Sequence, residues 1–177
     1  MKAITAPMTA EQIKELKAGD KVLLSGTIYT GRDAAHKRIA ELLENKMLLP
    51  FELNNQTIYY TGPCPAPPGK VIGSAGPTTS SRMDVYAPML IQEGLKVMIG
   101  KGDRSQAVID AIIKHTGLYL SAIGGAGALL SLCIKKAELI AFEDLGPEAV
   151  YLLTVCDMPL TVAIDCEGRN LYKRQLN

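Results

Sequence analysis

The sequence predicts an α/β domain, three layers with a mixed sheet, on three observations. Apolar strand-like runs alternate with amphipathic helical runs through most of the chain, the pattern of helices packed on a sheet. From residue 139 onward the alternation stops and short strand-like runs follow one another. The chain has 177 residues, 47% hydrophobic and 21% charged, enough for one core and far from a disordered balance, so residues 1–177 read as a single domain.

Each element follows from local chemistry. Thr9-Ala-Glu-Gln12 has the capping-box form, so a short helix should run to about Lys17 before Gly19 stops it. Residues 21–30 read as a strand with Val22, Leu23, Leu24, Ile28 and Tyr29 as core candidates, and Gly31 turns the chain. Over 33–46, Ala35, Ile39, Leu42 and Leu43 fall at helical spacing. Residues 57–61 form a short strand, and the next eight hold four of the ten prolines within six positions, a stiff surface loop. A short strand at 71–74 should lead to a helix over 81–92, kinked at Pro88. Residues 95–99 are an apolar strand, and Ser105 can cap a helix to about His115, closed by Gly117. A strand at 118–123 precedes a turn at Gly124 and a buried helix to about Lys135. Strands at 139–142, 150–155, 160–165 and 170–173 finish the chain, with turns at 145–147, 157–159 and 166–169.

Composition excludes several functions. Nineteen Lys and Arg against eighteen Asp and Glu give a net charge of +1, without the basic excess that nucleic acids or acidic membranes call for. Two Phe, seven Tyr and no Trp make a base-stacking platform a poor expectation. Residues 1–16 hold Pro7, Glu11 and Glu15 and lack the apolar run of a signal peptide. Residues 117–134 carry no charge, but their four glycines and two serines fit strand, turn and helix better than a membrane span. A soluble, cytoplasmic protein is expected.

Cys64, Cys133, Cys156 and Cys166 form no Cys-x-x-Cys pair and lie far in sequence from His36 and His115. Metal sites usually show close ligand spacing, so these read as buried apolar thiols in a reducing compartment. His36, on the second turn of its helix, reads as a supporting histidine and not a ligand.

Three polar turns share one design: an apolar strand, a glycine, then a helix start. They centre on Gly31-Arg32, on Gly76-Pro77-Thr78-Thr79-Ser80-Ser81-Arg82, and on Gly100-Lys101-Gly102-Asp103-Arg104-Ser105. In an α/β sheet the carboxyl ends of parallel strands gather on one edge, where helix N-termini favour anions. Arg32, Arg82, Lys101 and Arg104 add cations, and an arginine fork matches a carboxylate. Taken singly, such turns are common structural features; the third lacks the spacer and the Gly-Lys-Ser/Thr ending of a phosphate loop, so a nucleotide is disfavoured. Together they could clasp a small dicarboxylate.

Gly31-Arg-Asp-Ala-Ala-His36, Gly76-Pro-Thr-Thr-Ser-Ser-Arg-Met83 and Gly100-Lys-Gly-Asp-Arg-Ser105 stand in the order and rough spacing of the class I, iron–sulfur-dependent fumarases. From about Pro7 to its end the chain resembles their C-terminal portion, a separate β subunit in two-chain forms. The resemblance implies a swivelling β/β/α fold and reversible hydration of fumarate to L-malate. It also implies a [4Fe–4S] cluster held by three cysteines of an α subunit, an active site between the two chains, and a heteromer, α2β2. It assigns substrate carboxylates to Arg32 and Arg82, a further substrate contact to Lys101, and removal of the C3 proton of malate to Thr78. Arg104 receives no contact and is expected to matter less than Lys101. The β subunits of L(+)-tartrate dehydratase are similar and share Gly-Pro-Thr-Thr-Ser and Gly-Lys-Gly, but begin the first motif with cysteine; Gly31 and Asp103-Arg104-Ser105 look more like fumarase. Mesaconate is a further candidate substrate. A reading of another class is an anion-binding or assembly domain without a catalytic partner.

Overall fold

The computed structural model describes residues 1–123 and 125–173. Its strands are β1 (Lys2–Ala6), β2 (Lys21–Thr30), β3 (Thr57–Tyr59), β4 (Val97–Gly100), β5 (Leu118–Ser121), β6 (Ile134–Ala141) and β7 (Val150–Ile164). Its helices are α1 (Ala10–Lys14), α2 (Asp33–Glu44), α3 (Ala87–Gln92), α4 (Gln106–His115) and α5 (Gly127–Leu132). No helix of the described residues is long and apolar enough to cross a membrane.

The sheet is mixed, in the order β1-β2-β3-β4-β5-β7-β6. Strands β1 to β5 pair in parallel with their neighbours, whereas β7 runs antiparallel to β5 and β6. Strand β7 also bonds to β2, from Lys21 opposite Thr161 to Tyr29 opposite Leu152. That pairing curls the sheet into a partly closed ring of β2, β3, β4, β5 and β7.

Side chains alternate with period two across the sheet. Tyr59, Val97, Ile99, Leu118 and Leu120 pack with Ile13 of α1 and Leu130 of α5. Their neighbours Ile58, Met98 and Tyr119 face the opposite way, against Ile39 of α2, Leu90 of α3 and Ile112 of α4. Both faces are covered, so β4 is buried at all four positions, the continuous apolar run of a parallel strand. Because β2, β3 and β4 pair in parallel as neighbours, their carboxyl ends share one edge.

Several elements differ from the sequence expectation. Strand β1 was not expected: it is mostly exposed, so it lacks apolar alternation, and its partner β2 defines it. Residues 71–74 are irregular, tied to the proline loop through Cys64 N–H to Ser74 O and Gly73 N–H to Cys64 O. The helix expected over 81–92 is a 3-10 turn (Ser80–Met83) followed by α3, with Pro88 in the first turn, where a missing N–H costs nothing. Helix α5 is only six residues long, turns only Gly127 and Leu130 inward, and leaves Leu129 and Leu132 exposed; Lys135 belongs to β6. Gly124 lies outside the described residues. The turn expected at 157–159 is an irregularity inside the fifteen-residue β7, with Asp157 at φ 51°. Pro159 sits between the last pair with β6, at Val155, and the first with β5, at Thr161, where one strand edge lacks a sheet partner. Leu171–Lys173 is a 3-10 turn, not a strand. The cysteines are not buried: Cys64 and Cys156 are exposed, and Cys133 and Cys166 half-buried, all as free thiols.

Candidate functional site

The first turn follows β2. Arg32 is the N-cap residue of α2, and its Nε lies 3.9 Å from Asp33 Oδ2 and 3.8 Å from Glu148 Oε1. Glu148 also accepts from the Ala34 N–H at 3.4 Å, bringing a carboxylate from just before β7 to the start of α2. Gly62 leaves room for this arginine, since a Cβ there would stand 2.9 Å from Arg32 Cδ. Beneath them His36 is fully buried; its Nδ1–H donates to Arg32 O at 2.8 Å, and its ring meets Tyr60 edge-on with centroids 5.1 Å apart. Burial pushes the imidazole down to about 4, against the pull of the Arg32 carbonyl, so His36 is neutral near pH 7. It supports the Arg32 backbone, as a structural histidine should, but its Nε2 has no hydrogen-bond partner among the described residues.

The second turn is stitched to both neighbours. The Thr78 N–H donates to Tyr60 O at 2.7 Å, and Thr61 Oγ1 donates to Gly76 O at 2.8 Å. The Ser80 N–H donates to Lys101 O at 2.9 Å, and Thr79 forms a parallel bridge with Lys101. The Tyr119 hydroxyl donates to Gly102 O at 2.8 Å, which leaves Ser80 Oγ, 2.8 Å away, to donate to it. Burial pushes the Tyr119 hydroxyl up, opposed by the Ser80 hydrogen bond and the Arg104 charge. Arg82 Nε donates to Asp33 Oδ1 at 2.9 Å, linking the second turn to the first.

The structure therefore brings the three turns together: Arg32 and Arg82 meet at Asp33, while Thr78 and Lys101 are joined through Thr79 and Ser80. Thr78 and Lys101 are half-buried, and the Arg82 side chain is 54% exposed. An exposed edge with two guanidiniums, an ammonium and a hydroxyl can hold a small dicarboxylate and address one of its protons.

Arg104 departs from its expected place. It turns inward, fully buried, with Nε donating to Asp84 Oδ1 at 2.6 Å and its guanidinium between the rings of Tyr60 and Tyr119, 5.3 and 4.9 Å from their centroids. Asp84 Oδ2 also accepts from the Ser105 N–H at 2.6 Å. Arg104 is a brace under the third turn, and sequence spacing alone could not separate it from Lys101. Asp33 and Glu148 were not singled out either. Asp33 carries the signal of an acid in a helix's first turn; Glu148 arrives from a distant segment and carries none.

The four thiols lie on separate segments, and no three His, Cys, Asp or Glu side chains gather as a metal-ligand set among the described residues. The described residues offer no ligand set of the kind that holds an iron–sulfur cluster.

The family model described as Fumarase C-terminus matches residues 2–175. "Fumarate hydratase 2" of Leishmania major is 39% identical over 168 residues, 94% of this chain and 30% of that protein. "Fumarate hydratase class I, anaerobic" of Escherichia coli K12 is also 39% identical over 168 residues, 94% and 31% of the two chains. This chain thus spans about a third of the length of those relatives. The "Putative L(+)-tartrate dehydratase subunit beta" of Methanocaldococcus jannaschii is 39% identical over 172 residues, 94% of this chain and 88% of its own length.

Proposed function

This chain belongs to the fumarase C-terminus family, and we propose that it is the β half of a two-subunit class I fumarase, a hydro-lyase that interconverts fumarate and L-malate. One observation supports this reading above the rest: Arg32, Thr78, Arg82 and Lys101, which come from three separate turns, converge on one sheet edge through Asp33 and Ser80. In this reading all of residues 1–177 form one such domain with the swivelling β/β/α arrangement, and it acts in the cytoplasm. The partner is an α subunit in an α2β2 heteromer. The [4Fe–4S] cluster is assigned to that subunit, and no side chain of this chain is assigned to it.

Arg32 and Arg82 hold the substrate carboxylates through their guanidinium forks, and Lys101 adds a third cation. Thr78, held by its backbone N–H to Tyr60 O, presents a hydroxyl for the C3 proton of malate. A threonine hydroxyl is a poor base at its ordinary pKa and needs activation from its surroundings on assembly. Exclusion of water from the open edge falls to the partner, which strengthens each of these contacts.

The second reading is an L(+)-tartrate dehydratase β subunit, favoured by the 88% coverage of the Methanocaldococcus jannaschii relative. Anaerobic co-expression with the cluster-bearing partner, followed by assay with fumarate, L-malate, mesaconate and L(+)-tartrate, separates them. The proposal expects fumarate and malate to be turned over at the highest kcat/KM. Activity on tartrate alone would reverse the order, and an inactive complex would leave the anion-binding reading.

A further inference from the structure

Asp33 lies between the two arginines assigned to the substrate. Its Oδ1 accepts from Arg82 Nε at 2.9 Å, and its Oδ2 lies 3.9 Å from Arg32 Nε. Both atoms of the second contact are buried without a hydrogen-bond partner among the described residues: a carboxylate acceptor and a guanidinium donor facing one another. Buried polar atoms are rarely left unpaired, and a shift of about 1 Å would turn this contact into a charge-assisted hydrogen bond. Glu148 Oε1 lies 3.8 Å from the same Nε and puts a second carboxylate beside it. In both arginines the acids address the Nε edge; among the described residues no Nη atom of either has a hydrogen-bond partner.

We propose that Asp33 is a positioning residue that ties the guanidiniums of Arg32 and Arg82 to one another by their Nε edges and reserves their Nη ends for a ligand carboxylate. The arrangement suits a guanidinium, whose rigid planar fork can serve one carboxylate along one edge and another at its end. An untethered arginine would have to be ordered at the moment of binding, which costs affinity. Arg82, on a 3-10 turn and more than half exposed, depends most on the tether. The role of Asp33 in catalysis rests on the reading of Arg32 and Arg82 as carboxylate holders; the tether itself does not.

The test has two arms. Nitrogen-15 NMR of the isolated chain observes the arginine Nε–H groups directly. The Arg82 Nε–H should give a slowly exchanging signal that Asp33→Asn weakens or shifts, while the signal of Arg38, paired with Asp144, stays in place. An Arg82 signal indifferent to Asp33→Asn would overturn the proposal whatever the enzyme does. In the assembled complex, Asp33→Asn should raise KM for the dicarboxylate about tenfold with kcat within about threefold, and should cost little more once Arg82→Ala is present. A fall in kcat at constant KM, or a penalty that adds fully to that of Arg82→Ala, would also overturn it. If the NMR response appears and the wild-type complex hydrates nothing, the tether stands and the functional reading fails.

Discussion

At the scale of single residues, the carboxylate clasp and the proton-moving group should respond differently to substitution. Arg82→Lys keeps the charge and loses the fork; a charge-assisted hydrogen bond contributes about 1.5–3 kcal/mol, so kcat/KM of the assembled enzyme should fall about tenfold or more. Thr78→Ala should instead lower kcat by about 10²–10⁴ with KM little changed, if that hydroxyl moves the proton. Steady-state kinetics of both variants reads the contrast. Lys101 and Arg104, three positions apart, should separate by assay. Lys101→Ala should impair catalysis while urea unfolding stays within about 0.5 kcal/mol of wild type. The Arg104 side chain is 0% exposed and that of its partner Asp84 11%, so Arg104→Ala should cost about 3–5 kcal/mol in the same unfolding experiment. His36 gives a pH signature. Its folded pKa of about 4 lies below the ordinary 6.5, so the unfolded chain takes up the extra proton between those values. Stability is complete above about pH 6.5 and is lost as pH falls toward 4. The carboxylates of Asp20, Asp144 and Asp165 are held below their usual range, so their own losses begin lower and the upper part of the window belongs to His36. A urea midpoint that stays flat from about pH 7 to about pH 4.5 would contradict this. Glycine turns after apolar strands drew attention to Arg32, Arg82 and Lys101 in the sequence, and the family resemblance to Thr78. The acids beside the two arginines, Asp33 and Glu148, and Asp84 under the buried Arg104 were not singled out, because their partners are set by tertiary packing.

At the scale of elements, the junction of β4 with the second turn decides how well the site is held. Gly100 ends β4, and a Cβ there would collide with Ser80 Oγ and stand 2.9 Å from Tyr60 Cδ2. Ser80 is the residue whose N–H bonds Lys101 O, so Gly100→Ala should push the second turn away from the third. We expect a loss of about 1–3 kcal/mol from overpacking together with reduced kcat/KM. Gly100→Ala with Ser80→Ala should recover part of the stability, as thermal melting would show; no recovery would place the strain elsewhere. The same region shows which elements a sequence reveals. Strand β2 and helices α2 and α4 were legible because each carries its own apolar period and turn residues. Strand β1 carries no such period, and the 3-10 turn before α3 was hidden by a proline that starts the helix instead of bending it. The two strands expected on either side of Asp157 are one, because a positive φ at a single residue absorbs the irregularity that looked like a turn.

At the scale of the whole molecule, the antiparallel pairing of β7 with β2 closes the ring, and nothing local in the sequence announced it: Lys21 and Thr161, at one end of that ladder, are 140 residues apart. The mixed sheet itself was legible, since early strands alternate with helices and late ones do not. The parallel pairing of β2 with β3 and of β3 with β4 sets their carboxyl ends on one rim, and there the three turns meet. The chain spans about a third of the length of its fumarate hydratase relatives, and in the function proposed above a partner covers this rim. The central claim, that this rim holds the substrate carboxylates, is tested most directly by the crystal structure of the anaerobically assembled complex with L-malate bound. The account predicts malate carboxylate oxygens within about 3 Å of guanidinium nitrogens of Arg32 and Arg82, with Lys101 Nζ and Thr78 Oγ1 against the same molecule. Malate bound with none of these four side chains in reach would contradict it.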